Sequence, residues 1–120
     1  PQKELDEDTK REFFKLQEQI QTLSRDLRQV SVKLKNHTRD VRSNQLTSGT
    51  VSGLSDDTVM YRGVGKAFLF CTKDEITKQL AEETTSIAQS KKTLEDRKAF
   101  LERRINSHNN NLKDMLGIAA

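Results

Sequence analysis

The chain has no tryptophan, one tyrosine, one cysteine and a single proline, which stands at position 1 of 120 residues. Each shortage excludes something. Hydrophobic residues make up 32% and aromatic residues 5%, too little for an ordinary self-contained globular core. A lone Cys71 rules out an intrachain disulfide framework and suits a reducing compartment. No apolar run is long enough to span a bilayer or to serve as a signal peptide. Pro1 is not an initiator residue, so the native chain can begin earlier. Beyond position 1 no proline interrupts a helix.

Charge is abundant. Lys and Arg number 21 against 18 Asp and Glu, a net charge of +3 with the two signs interleaved. That mixture marks long solvated helices and argues against nucleic acid as a partner. After an acidic lead (Glu4, Asp6, Glu7, Asp8), Thr9-Lys10-Arg11-Glu12 has the form of a capping box. Apolar residues then fall at Phe13, Leu16, Ile20, Leu23, Leu27, Val30, Leu34 and Val41, in steps of three and four. This is a heptad seam, and it predicts a first coiled-coil helix over 9–43. His37 and Asn44 fall on the same row and weaken it. Residues 44–57, rich in Ser, Thr, Gly and Asp, read as a linker.

The rhythm changes at 58–71, TVMYRGVGKAFLFC. Val, Tyr and Phe favour a pleated, half-buried backbone, and the glycines of Arg62-Gly63-Val64-Gly65 can turn the chain. The expectation is a β-hairpin with two apolar faces, Phe68 and Phe70 on one and Ala67, Leu69 and Cys71 on the other. A two-stranded hairpin is marginal alone, so other elements or other chains must cover it. Thr72-Lys73-Asp74-Glu75 forms a second capping box, with Cys71 and Ile76 placed for a hydrophobic staple. Leu80, Ile87, Leu94, Leu101, His108 and Met115 then recur every seven residues. The alternate row, Thr77, Thr84, Lys91 and Lys98, becomes apolar only at Ile105 and Leu112. A second helix is expected over 73–116, stopped by Gly117. The fold class is mainly α: a long antiparallel two-helix coiled coil joined by a linker and one β-hairpin. Its expected core is Leu16, Ile20, Leu23, Leu27, Val30, Leu34, Val41, Leu80, Ile87, Leu94, Leu101 and Ile105.

These residues resemble the prefoldin family. The resemblance rests on Phe13 with Leu16-Gln17, on 57–68 (DTVMYRGVGKAF), and on 94–102 with Leu94, Lys98, Phe100, Leu101 and Glu102. Met60 to Gly65, MYRGVG, is its specific part, and it covers nearly the whole chain as a single prefoldin-like domain. It departs from the family at 47–55, where Gly49 and Gly53 replace more helical text. The resemblance implies a β-type subunit with one hairpin, in a heterohexamer of two α-type and four β-type subunits. It implies an ATP-independent, cytoplasmic co-chaperone that is no enzyme and needs no cofactor. Its partners would be non-native actin and tubulin and the cytosolic chaperonin, without a membrane. Val59, Met60, Tyr61, Val64, Ala67, Phe68, Leu69 and Phe70 would be the subunit interface, since an open hairpin edge invites strand addition. Phe13, Phe14, Leu112, Met115, Leu116 and Ile118 would contact clients, or else close the coiled coil. The alternative function is a coiled-coil scaffold without client binding.

No chemistry assembles. His37 and His108 fall on seam rows, and neither has the carboxylate or thiol company of a metal site. Gly63-Val64-Gly65 lacks the Lys-Ser/Thr that a phosphate loop needs. Arg97, Lys98, Arg103 and Arg104 are diluted by Glu95, Asp96 and Glu102, as on a solvated helical face. No nucleophile, base and orienting group come together.

Overall fold

The structure is a computed structural model that describes residues 6–117. Its elements are helix α1 (Glu7–Ser52), strands β1 (Met60–Val64) and β2 (Ala67–Cys71), and helix α2 (Lys73–Leu116). They divide into two compact units: a terminal unit of residues up to 34 and from 93, and a hairpin unit of 35–92.

In the terminal unit the chain enters α1 one turn earlier than the capping box suggests. Asp6 is the cap: its Oδ1 accepts the Thr9 amide at 2.7 Å, and its carbonyl accepts the Lys10 amide. A carboxylate there also meets the positive end of the helix, which an uncharged Thr9 cannot do. Glu4, in the acidic lead, lies outside the described residues. Leu16 and Val30 are buried, while Ile20, Leu23, Leu27 and Leu34 are half-buried on the same row. On α2, Leu101 is fully buried at 0% exposure, with Leu94, Ile105, Leu112 and Met115 half-buried. Glu18, Thr22 and Leu23 of α1 line one cavity with Arg104 and His108 of α2, which fixes the antiparallel pairing here. Both ring nitrogens of His108 are buried without a hydrogen-bond partner. Gly117, at φ 70°, ends α2 in the left-handed conformation, and its amide donates to the Asp114 carbonyl.

In the hairpin unit α1 continues nine residues past the expected boundary at 43, so most of the expected linker 44–57 is helix. Two things carry it through. The seam goes on in steps of three and four from Val41 through Asn44 and Ser48 to Val51, and Val51 is buried. Meanwhile the hydroxyls of Thr47, Thr50 and Ser52 donate to carbonyls four residues back, so they stay satisfied inside a helix. Gly49 costs about 1 kcal/mol in a helix interior, and burying Val51 returns about 1.5–3 kcal/mol. The last turn tightens, with the Gly53 and Leu54 amides donating to the Thr50 and Val51 carbonyls. Across the same unit, Asp40 and Asn44 of α1 line a cleft with Glu83 and Ile87 of α2. The Asn44 amide nitrogen is buried there without a partner.

The second capping box forms reciprocally. The Thr72 amide donates to the Glu75 carboxylate at 3.1 Å, and the Glu75 amide donates to the Thr72 hydroxyl at 3.2 Å. On the seam that follows, Ile76 is half-buried and Thr77 exposed, so the helix opens its row one residue before the expected position.

A hairpin open on both faces

β1 and β2 pair antiparallel with Met60 opposite Cys71, Tyr61 opposite Phe70, Arg62 opposite Leu69, Gly63 opposite Phe68 and Val64 opposite Ala67. The loop is therefore Gly65-Lys66 alone, and the turn falls two residues later than the Arg62–Gly65 expected. Gly65 has φ 60°, and no described non-glycine residue has a positive φ. A positive φ at the first loop position only is the II′ pattern, which matches the right-handed twist of paired strands. Gly63 consequently lies inside β1, and the Phe68 ring lies 3.8 Å from where a Cβ on it would sit. The ring fills the space that the missing side chain leaves.

Opposed residues share a face. One face carries Tyr61, Gly63, Phe68 and Phe70. Tyr61 and Phe70 meet edge-on, with centroids 6.2 Å apart. Their exposures are 63% and 62%, and that of Phe68 is 76%. The other face carries Met60, Arg62, Val64, Ala67, Leu69 and Cys71. Met60 and Cys71 are half-buried, and Met60 lines an apolar groove of about 370 Å³ with Thr47, Val51, Ile76 and Leu80. Val64, Ala67 and Leu69 stay exposed, as does Val59 just before β1. Of the eight residues expected at a subunit interface, Met60 and Tyr61 line the groove against the helices of their own unit, although Tyr61 stays largely exposed.

Lys73, in the first turn of α2, sets the hairpin's root. Its ammonium donates to the Leu54 carbonyl at 2.9 Å and the Ser52 carbonyl at 3.3 Å, and lies 3.5 Å from the Asp56 carboxylate. A cation on the open carbonyls at the end of α1 also meets the negative end of that helix. No local pattern announces this contact, because 21 residues separate donor and acceptor. Leu46, 69% exposed, was also missed, since it lies in text that reads as linker.

In the terminal unit Phe13 is half-buried and Phe14 is 65% exposed, their rings edge-on at 6.0 Å. Leu112, Met115 and Leu116 are half-buried. Ile118 lies outside the described residues. Val32 and Phe100 are exposed and off the seam; Val32 was not singled out in the sequence, and Phe100 only as part of the family resemblance. Among the described residues no three or more His, Cys, Asp or Glu gather in metal-binding range. No described helix is long and apolar enough to cross a membrane.

Two long helices that frame one exposed antiparallel hairpin are the fold of a prefoldin subunit. The crystal structure of the prefoldin beta subunit from Thermococcus strain KS-1 shares this fold, with a TM-score of 0.78 at 18% identity over 88% of this chain and 92% of that one. The family model described as "Prefoldin subunit" matches residues 15–119, and the chain belongs to that family. It is similar to prefoldin subunit 1 of Bos taurus (30% identity) and of Tetraodon nigroviridis (29%), in each case over 93% of this chain and 92% of the relative. Prefoldin subunits are chaperone subunits that work in hexamers with other prefoldin subunits, and membership supports a co-chaperone role here.

Proposed function

We propose that this chain is the subunit-1-type member of a cytoplasmic prefoldin hexamer of two α-type and four β-type subunits. In this reading the complex holds non-native proteins such as actin and tubulin without ATP and delivers them to the cytosolic chaperonin, with no catalysis. The observation that carries the reading is the hairpin, whose apolar residues and backbone edges stand open on both faces. Such edges pair with strands of neighbouring subunits, and closing a barrel removes them. Val59, Tyr61, Val64, Ala67, Phe68, Leu69 and Phe70 are the assembly surface, with Met60 anchoring its base. Phe13, Phe14, Leu112, Met115, Leu116 and Ile118 supply client contact in the terminal unit. Apolar and flexible side chains such as Met suit partners of varied sequence.

The test is suppression of aggregation of denatured actin by the assembled complex without nucleotide. Removing 116–120 together with Phe14→Ser should reduce co-elution of actin while the hexamer and its helicity persist. Each lost apolar contact is worth ~1–2 kcal/mol, partly masked by avidity among subunits. Unchanged capture, with equivalent changes in the neighbouring subunits as well, would locate the client elsewhere. A complex that never suppresses aggregation would leave a scaffold.

A further inference from the structure

Phe100 lies off the seam of α2 and keeps 41% of its surface exposed. Two guanidinium groups flank its ring, Arg97 and Arg104, each with its carbon 5.8 Å from the ring centroid. They stand three residues before and four after Phe100, so all three side chains share one stripe. At 5.8 Å each guanidinium lies within cation–π range of the ring. Their N–H edges remain available for carboxylates, which a planar fork binds in bidentate fashion. The stripe lies in a basic stretch: residues 91–104 hold six Lys and Arg against three Asp and Glu, an excess equal to the net charge of the whole chain.

We propose that Arg97, Phe100 and Arg104 form a docking stripe for an acidic polypeptide segment that carries two carboxylates on either side of an apolar residue. Seven residues of helix set the two arginines ~10 Å apart along the axis. On an extended chain alternate residues share a face, so carboxylates four residues apart, ~13 Å at ~3.3 Å per residue, face the stripe together with the apolar residue midway, and the long arginine side chains take up the difference. The apolar residue between them covers the Phe100 ring. Asp96, four residues before Phe100, borders the stripe and disfavours a continuous run of phosphates, so the stripe suits a peptide better than RNA. This surface uses none of the residues assigned to assembly or client contact, and it stands whether or not that function holds.

The experiment is a fluorescence-anisotropy titration of a short labelled peptide, with glutamates four residues apart and a leucine midway between them, against the full chain. Binding should saturate and weaken as salt rises. Arg97→Gln with Arg104→Gln should weaken it about tenfold, which is the loss of one to two charge-assisted hydrogen bonds. Phe100→Ala should weaken it about threefold. Arg97→Lys with Arg104→Lys keeps the charge, loses the fork and should fall in between. Circular dichroism should be unchanged in Phe100→Ala, whose side chain lies outside the seam, and Arg97→Gln alone, clear of the cavity that Arg104 lines with His108, should still weaken binding about threefold. Wild-type affinity in the double Gln variant would overturn the proposal. So would tighter binding of an oligouridine of equal charge.

Discussion

The hairpin and the terminal unit use apolar residues in opposite ways. All ten residues from 61 to 70 are exposed, among them Tyr61, Phe68, Leu69 and Phe70. In the terminal unit the exposed positions are mostly charged, and the apolar ones other than Phe14, Val32 and Phe100 retreat to the seam, where Leu101 has no accessible surface. One region completes its burial within the chain, and the other leaves its apolar residues exposed, to be covered by a neighbour in the proposed hexamer. Stability and assembly should therefore respond to different mutations, and four experiments probe that separation.

The largest effect should come from Phe68→Asp or Leu69→Asp. A carboxylate placed where a neighbouring subunit closes over it costs about 3–5 kcal/mol as an unpaired buried charge. Size-exclusion chromatography should show the variant left out of the hexamer, with its far-UV dichroism intact. Normal incorporation of both variants would erase the division between the two regions.

Leu101→Ala should do the reverse. Emptying a fully buried site costs about 2–5 kcal/mol. The loss should appear as a lower Tm of the chain itself, whereas Phe68→Ala should leave that Tm nearly unchanged. Equal shifts for the two would mean that the hairpin is already covered within the chain.

Lys73→Met keeps the apolar stem and removes the ammonium that holds the Ser52 and Leu54 carbonyls. The expected loss is about 1–2 kcal/mol, since the two carbonyls sit at a helix end that water can partly reach. Hydrogen exchange should speed up at Gly53, Leu54 and Thr58, whose amides close the turns there. Protection unchanged at those amides would show that Lys73 does not hold the root of the hairpin.

Gly65→Ala sharpens the comparison most finely. The added methyl meets nothing within 4 Å, yet φ 60° strains any residue with a Cβ. About 1–2 kcal/mol follows from that strain. It should appear as weaker hexamer assembly at low concentration, with no change in the thermal melt of the helices. A lower melting temperature would couple the turn to the coiled coil.

Much of this was legible because its signals are local or periodic. The seam from Phe13 to Val41 and the Thr72–Glu75 box are patterns of three, four and seven residues. Strand text around Phe68 also stood apart from helix text. The end of α1 was not legible, because Ser, Thr and Gly usually mark loops. Only the buried Val51 and the back-bonded hydroxyls show why helix prevails there. The turn was misplaced because Gly63 and Gly65 look alike in sequence, and only the pairing register assigns one to the strand. Among the candidate client contacts, Leu112 and Met115 lie on seam rows, and no spacing rule separates a core residue from a contact residue at the end of a coiled coil.

The order in which the seam is covered has a consequence for how this protein is made. Val51 shares its groove with Leu80, 29 residues later, whereas Glu18 shares its cavity with His108, 90 residues later. At a ribosomal pace of about 5–20 residues per second, the first wait is roughly 1–6 s and the second roughly 5–18 s. The N-terminal stripe that includes Phe13 and Leu16 is thus the earliest to emerge and the last to find cover. During its own synthesis a subunit of a co-chaperone displays the kind of naked apolar segment that co-chaperones recognise.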